Sequence, residues 1–381
     1  MMQVLTTQQR EEWTRAVHRA TQHDFYFLPE YHALAERCCE GEARLFVYEQ
    51  AGYTISLPLI IRTLADLPAI GAAANGSRDA TSVYGYGGPL YSHEETPREV
   101  AHGFRRALKA ALQELQVVSV FSRLHPLIPA QTILLHGLGD HQLEGVTVSI
   151  DLSASHLEQR AQFDGNIKNR LNRLARSDVS CVLDVEQRDL PEFIALYHET
   201  MRRVNAEQSY FFDGAYFNDL AKSLGPLLKL FVVKTADGHV ISGGLFALCD
   251  GIVQYHLGGT RTAALKLSPM VLIFETVRHW AKENGAHTFH LGGGVGGKTD
   301  SLFKFKARFS QRRNNFLTWR WIVAPDAYRE LALQKNLWNS ERGLRANSVS
   351  FFPAYRCPSE PNLISAPLNA SASAIASPDG L

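Results

Sequence analysis

An internal duplication is the feature that most restricts how this chain of 381 residues can fold. The segment Arg44–Ser56 aligns with Lys229–Ser242, and both predict a β-hairpin. The run 84–89 then aligns with 255–260, in each case at the end of the next predicted strand. The period is too long for a solenoid, so the sequence predicts two tandem copies of one fold.

The order of elements continues in parallel through both halves. After the aligned runs, Thr96–Glu99 and Ser268–Pro269 each begin a predicted helix with an N-cap and a proline. A predicted strand follows each helix, and two predicted helices precede each hairpin, at 8–20 and 29–39 and at 191–204 and 214–224. This order predicts an α+β fold (α/β by some schemes) in which each half is a mixed, largely antiparallel sheet flanked by helices.

We expect an N-terminal domain at 1–150, a C-terminal domain with the active-site rim at 151–355, and a disordered tail at 356–381. Prolines and a Ser/Ala-rich composition leave the end of the chain with little apolar surface. We therefore predict that the chain from Tyr355 onward is dispensable.

Composition favours a cytoplasmic enzyme. The formal charge is +1, so any anionic partner must be bound by a local patch. The sequence has neither an apolar run long enough to span a membrane nor an apolar leader at its N-terminus. Five cysteines without C-x-x-C spacing indicate neither disulfides nor zinc, and we predict no metal site.

A glycine-rich segment near the end of the second half fits two nucleotide-binding patterns. Gly292–Thr299 satisfies the phosphate-loop pattern, and Gly292, Gly294 and Gly297 satisfy G-x-G-x-x-G. Both patterns normally open a series of βα units, which the remaining sequence does not supply. Because these units are missing, a P-loop nucleotide-binding protein is only the alternative hypothesis.

Five blocks carry a resemblance to a known family: 79–90, 123–126, 166–176, 255–260 and 290–309. Together they resemble the FemAB-like (Fem-type) acyltransferases, which are tandem GNAT domains. Members join amino acids from aminoacyl-tRNA to peptidoglycan precursors, and close relatives are acyl-CoA-type N-acetyltransferases of glycan biosynthesis.

The resemblance implies an N-acyltransferase with no tightly bound cofactor. Its donor would be aminoacyl-tRNA or an acyl-CoA, and its acceptor an amine of an amino sugar, amino acid or peptidoglycan-type precursor of the cell envelope. The implied partners are that acceptor and, for the first donor, tRNA; we expect no DNA and at most peripheral membrane contact. A duplicated scaffold kept only for binding is a further alternative.

The resemblance also implies where the donor binds. The family's Phe-Lys-x-x-Phe block falls on Phe305, Lys306 and Phe309, which makes Lys306 the candidate cation for donor phosphate and oxyanion. Lys304 and Arg308 could share this role, and a strand would point Lys304 and Lys306 to one face. Because Lys306 would lie at a rim, we expect its removal to change stability little.

A basic helix, predicted at 162–177, carries further candidates for binding donor phosphates: Lys168, Arg170 and Arg173. The turn Thr260–Ser268 lacks the glycines with which GNAT domains bind the pyrophosphate of CoA, so acyl-CoA is the less expected donor.

Acyl transfer to an amine requires loss of a proton and stabilisation of an oxyanion. His256 and His290, at predicted strand ends, and Asp300 on the rim are the candidate bases. The candidate acceptor-binding residues near the strand ends are Tyr84, Tyr86 and Tyr255.

Overall fold

The computed structural model describes residues 2–348 and 350–360. Within these ranges thirteen strands form one sheet. They are β1 (Met2–Leu5), β2 (Glu42–Gln50), β3 (Tyr53–Thr63), β4 (Arg78–Thr81), β5 (Leu90–Tyr91), β6 (Val117–Arg123), β7 (Asp140–Asp151), β8 (Val179–Asp184), β9 (Leu228–Thr235), β10 (Val240–Cys249), β11 (Ile252–Thr260), β12 (Thr288–Gly292) and β13 (Arg313–Ile322).

Helices cover the sheet. They are α1 (Arg10–His18), α2 (Pro29–Arg37), α3 (Arg98–Glu114), α4 (Gln131–Leu134), α5 (His156–Ala161), α6 (Gly165–Leu174), α7 (Leu190–Arg203), α8 (Gly214–Leu224), α9 (Met270–Glu283), α10 (Ser301–Ala307) and α11 (Pro325–Glu341).

The strand order confirms the duplication. It runs β1-β2-β3-β4-β6-β13-β7-β12-β11-β10-β9-β8, with β5 attached to β3. From either edge inward, three antiparallel pairs are followed by one parallel pair, β4 with β6 in the first half and β11 with β12 in the second. An antiparallel pair then closes each half. The mixed, largely antiparallel sheet and the two GNAT-like halves are therefore as predicted.

The halves exchange their closing strands. The strand that closes the first half, β13, comes from the end of the chain and pairs with β6. The strand that closes the second half, β7, comes from the middle of the chain and pairs with β12. The two closing strands pair with each other at the centre of the sheet. The domain boundary at residue 150 stays a prediction. Strand β7, at the end of the first predicted domain, pairs only with β12 and β13 of the second.

Apolar residues at helical spacing attach α7 to the sheet. Phe193, Leu196 and Tyr197 are each at most 2% exposed, and the helix lies against β10 and β11. At Gly259 a Cβ atom would lie 2.6 Å from the backbone carbon of Leu196. The second glycine of the repeated Gly-Gly pair thus allows the helix backbone to contact the strand directly.

The segment after α11 is packed against the first half. Tyr355 is 1% exposed, and its hydroxyl lies 2.6 Å from the Ser119 hydroxyl. The guanidinium of Arg356 donates to Asp79 over 3.0 Å, and Arg62 donates to the same buried carboxylate over 2.8 Å. The predicted disordered tail therefore does not begin at residue 356, and the dispensability of the chain from Tyr355 onward stays a prediction. The rest of the predicted tail, 361–381, lies outside the described residues.

A protein that ends after Ser350 should be less stable than one that ends after Glu360. The shorter chain loses the buried ring of Tyr355 and leaves Asp79 with one cation fewer, at a cost of about 3 kcal/mol or more. We expect its apparent Tm, followed by circular dichroism, to fall by roughly 5 °C or more relative to the longer variant. Equal melting temperatures would show that this packing contributes nothing.

Candidate active site

The candidate site lies where the parallel strands of the second half separate. Strands β11 and β12 pair only from Ile252 to Gln254 and from Thr288 to His290. Beyond that point His256 is an extra residue opposite β10, a β-bulge that turns β11 away. Side chains of the first half fill the gap, with the ring of Tyr86 5.4 Å from that of His290. The site is therefore built from both halves.

A buried polar network joins the halves behind this gap. One oxygen of Asp24 accepts hydrogen bonds from Gln254 over 2.6 Å and from His125 over 2.9 Å. The Gln254 oxygen lies 2.7 Å from Nδ1 of His290, whose Nε2 lies 2.8 Å from the Thr147 hydroxyl. These five side chains belong to residues that are at most 2% exposed. The network is thus closed to solvent.

The geometry of the network indicates which nitrogen of His290 carries the proton. Because the amide nitrogen of Gln254 donates to Asp24, the amide oxygen accepts, so Nδ1 of His290 carries the proton. Nε2 of His290 then accepts from Thr147, and burial holds the pKa of His290 well below its usual range. With both nitrogens occupied inside the protein, His290 is placed to support the site. Its predicted role as a base stays a prediction.

Asp24, Gln254 and His125 were not among the residues singled out from the sequence. His125 lies in the Arg123–Pro126 block, which was a usable signal. Asp24 and Gln254 lie 230 positions apart, and neither stands in a pattern that indicates a site.

His256, the second candidate base, lies in an aromatic cluster. Its ring nitrogens are each 3.5 Å from a tyrosine hydroxyl, those of Tyr26 and Tyr216. The rings of Tyr31 and Tyr84 contact it edge-on. Burial lowers the pKa of His256 to about 4, so it is neutral at pH 7. This neutral imidazole lies beside the gap between β11 and β12, which is called the cleft below. It can accept a proton, but only weakly.

Asp300, the third candidate base, is the N-cap of α10. One carboxylate oxygen accepts from the Phe303 backbone N–H over 2.8 Å and the other from that of Val295 over 2.9 Å. Both oxygens thus hold backbone in place. The structure gives Asp300 a structural contact, and its predicted catalytic role remains untested.

Lys306 and Lys304 lie on a helix, which corrects the expected strand. Residues two positions apart on a helix point in different directions, so the two lysines do not share a face. Lys304 is exposed, whereas Lys306 is only 6% exposed. The aromatic residues around them favour the helix because Phe303 and Phe309, at 9% and 0% exposure, enter the core beneath it.

The amine of Lys306 has few partners. It donates to the backbone oxygen of Gly293 over 2.7 Å and lies 5.4 Å from the ring centre of Tyr255. No carboxylate of the described residues forms an ion pair with it. Burial lowers the pKa of Lys306 to about 7, against a smaller opposing effect of Asp300. A desolvated amine without a counter-charge is suited to meet a negative charge that develops on a substrate.

The three candidate tyrosines have different surroundings. Tyr84 contacts Phe212 and His256, and burial raises the pKa of Tyr84 to about 12. Tyr255 packs against Phe246 and Phe274 beneath the Lys306 amine. Tyr86, which is partly exposed, lies over His290 at the gap. Tyr84 and Tyr86 thus line the cleft, and Tyr255 supports the lysine.

The basic helix is shorter than predicted, at Gly165–Leu174, and Asp164 caps it. The backbone N–H of Asp164 donates to Arg308, which places the start of the helix beside the end of α10. Within the described residues, Lys168, Arg170 and Arg173 form no ion pair; Lys168 and Arg173 donate to backbone oxygens. These cations are therefore available to a polyanion.

The turn before α9 differs from a pyrophosphate cradle. A helix N-terminus binds phosphate through free backbone N–H groups. Here the N–H of Thr262 donates to the carboxylate of Glu199 over 2.6 Å. Those of Val271 and Leu272 donate to Ser268 and Pro269. These three N–H groups are occupied, and one of their partners is an anion.

The glycine run packs on β7. A Cβ atom at Gly297 would lie 2.6 Å from the backbone oxygen of Glu144, and one at Gly145 would lie 2.0 Å from that of Gly297. The run therefore allows two backbones to touch. The next helix has seven residues, and Lys298 is exposed. Because β12 is flanked by one parallel and one antiparallel strand, the sheet lacks the context of a phosphate loop.

Within residues 2–348 and 350–360, no group of three or more His, Cys, Asp or Glu side chains is arranged to hold a metal ion. No helix in these ranges is both long and apolar enough to cross a membrane.

Residues 161–306 match the family model of the acetyltransferase (GNAT) domain. Among solved structures, FemX is similar with a TM-score of 0.65 at 14% identity, over 86% of this chain and 99% of FemX. L-PGS from Bacillus licheniformis gives 0.51 at 16% identity, over 81% and 91%. A conserved protein of unknown function from Bacteroides thetaiotaomicron gives 0.52 at 9%, over 84% and 99%. No curated protein matches the sequence significantly.

Proposed function

We propose that this chain, a GNAT-type acyltransferase of FemAB-like fold, transfers an aminoacyl group from aminoacyl-tRNA to an amine. The acceptor is an amino sugar, an amino acid or a peptidoglycan-type precursor. The observation that carries the proposal is the buried, unpaired amine of Lys306 at the junction of the two halves. There it can stabilise the oxyanion that forms when an amine attacks an ester carbonyl.

Two observations favour aminoacyl-tRNA over acyl-CoA as the donor. Three backbone N–H groups at the turn that would hold the diphosphate of CoA are occupied, and Glu199 adds a negative charge there. The cations of α6 are exposed or half-exposed and form no ion pair within the described residues, and α6 begins beside the end of the helix that carries Lys306. Exposed cations on a helix that begins next to the reactive site fit a donor with many phosphates.

The acceptor is proposed to enter beside the aromatic cluster. Tyr84 and Tyr86 line the cleft there, and His256 lies behind them as a neutral imidazole. An amine that arrives as an ammonium ion can face the tyrosine rings and lose its proton to water, to the substrate or to His256.

The cations of α6 offer a test of the donor. Replacing Lys168, Arg170 and Arg173 by Glu should weaken binding of mixed aminoacyl-tRNA by about tenfold or more, with a smaller dependence on salt. A filter-binding assay on protein purified without nuclease measures both. The matched control replaces Arg98, Arg106 and Lys109, exposed on α3, by Glu. Equal weakening in both variants, or tight binding of acetyl-CoA without tRNA binding, would contradict the choice of donor.

A further inference from the structure

A small space beside Gly292 is bordered by two hydrogen-bond donors. Gly292 has φ +78°, and a Cβ atom built on it would lie 3.3 Å from the Lys306 amine and 3.9 Å from the Tyr86 hydroxyl. Apart from atoms of Leu291, Gly292 and Gly293, no other heavy atom of the described residues lies within 4 Å of that position. Because Gly292 carries no side chain, the space farther out over its Cα, between the amine and the phenol, is open to a substrate atom.

The space opens toward the cleft. Gly292, Gly293 and Tyr86 are each partly exposed, whereas Lys306 approaches from the buried side. One N–H of the lysine is used by the Gly293 oxygen, which leaves the others free. Any larger residue at position 292 would fill this room and would also be strained at a positive φ.

The Tyr86 hydroxyl has no hydrogen-bond partner among the described residues. Its ring is held edge-on by Tyr26, His125, His290 and Phe316. Burial raises the pKa of Tyr86, so the phenol keeps its proton at neutral pH. A fixed ring with an unused O–H is a preorganised donor.

We propose that Tyr86 and Lys306 together form the oxyanion hole, with the space beside Gly292 as the position of the reacting carbonyl oxygen. This inference rests on the proposed function and makes Tyr86 a catalytic residue instead of a contact for the acceptor. The buried network of Asp24, His125 and His290 then serves to hold the Tyr86 ring from behind.

The step balances without a further reactant. The acceptor nitrogen forms a bond to the ester carbon, and the carbonyl electron pair moves to the oxygen between the two donors. When that pair returns, the bond from the carbon to the ribose oxygen breaks. The proton released by the acceptor nitrogen goes to the departing oxygen through water or the substrate.

The test compares two inert analogues of an alanine-charged 3′-terminal adenosine. One carries a planar amide, and the other a tetrahedral phosphonamidate whose anionic oxygen mimics the intermediate. We expect the wild-type protein to bind the phosphonamidate more tightly in calorimetry, and Tyr86→Phe to lose about tenfold or more of that preference. Affinity for the amide should be unchanged. Gly292→Ala should lose the same preference because it fills the space.

The control is Tyr53→Phe, since Tyr53 begins β3 after the hairpin turn, is partly exposed and packs its ring against His93. Circular dichroism of each variant verifies the fold. If the wild-type protein prefers the phosphonamidate and Tyr86→Phe keeps that preference, the assignment of Tyr86 is overturned while the proposed function stands. If the wild-type protein binds neither analogue, the result contradicts the proposed function and therefore also the proposed oxyanion hole.

Discussion

Replacing Lys306 by Ala should lower kcat/KM by about 10²-fold or more. The amine is buried, has no carboxylate partner among the described residues and borders the space beside Gly292, so it can meet the negative charge of the intermediate. Transfer of a labelled amino acid from aminoacyl-tRNA to the identified acceptor is the measurement. The loss should appear in kcat, because the charge develops only in the transition state.

Lys306→Met is the companion variant, because it keeps the apolar stem over Tyr255 and removes only the amine. Lys306 is buried and does not lie at the expected rim, so we expect Lys306→Ala also to melt earlier. Lys298→Ala and Lys304→Ala change exposed lysines and should have mild effects. An inactive Lys298→Ala beside an active Lys306→Ala would overturn the acyltransferase assignment and restore the nucleotide-loop hypothesis.

The same lysine predicts a pH dependence. Because the pKa of Lys306 is lowered to about 7, the free protein loses the ammonium form as pH rises through that value. The ratio of kcat/KM for the wild-type protein to kcat/KM for Lys306→Met should therefore fall above about pH 7. Loss of a proton from the acceptor amine raises kcat/KM of both proteins alike, so it cancels in this ratio. A ratio that stays constant up to pH 9 would show that Lys306 does not act as a cation.

Asp24→Ala should destabilise the fold by about 3–5 kcal/mol. The carboxylate is fully buried and accepts hydrogen bonds from Gln254, His125 and the Phe25 backbone N–H. Alanine leaves these donors without partners in a region closed to water, and each unsatisfied buried donor costs about 1–3 kcal/mol. Chemical denaturation followed by tryptophan fluorescence measures the change.

Asp66→Ala is the matched control, since Asp66 is exposed and should tolerate the change. Asp24→Asn keeps an oxygen that can accept and should lose less than Asp24→Ala. A stable Asp24→Ala protein would show that water enters the network, and the description of a sealed junction would have to be abandoned.

The duplicated fold could be predicted from the sequence because hairpins, capped helices and glycine pairs are local patterns. Pro269 fixes the start of α9, and Gly259 has no side chain to keep the backbone of α7 from contacting β11. The exchange of β7 and β13 was not predictable, because nothing in either strand specifies which neighbour it pairs with.

The site was only partly predictable, because it depends on contacts between residues that are distant in the sequence. Lys306 could be found because its block resembles a known family, but its helix and burial depend on Phe303 and Phe309 entering a distant core. The Asp24 network joins residues from the two halves of the chain, such as Asp24 and Gln254, which only the folded structure brings together. Asp300 was predicted as a base because it lies on the predicted active-site rim, close to Lys306 in the sequence, but its hydrogen bonds are those of a helix N-cap.

The exchanged strands also order events during synthesis on the ribosome. When residues 1–123 have emerged, β6 still has an open edge, because its partner β13 is encoded about 190 residues later. An uncovered edge strand can pair with other chains, so the nascent first half is exposed to aggregation until Arg313–Ile322 arrives. A gene split between the halves would thus give two fragments that each lack a strand held by the other. Such fragments should recover the fold only when they are produced together.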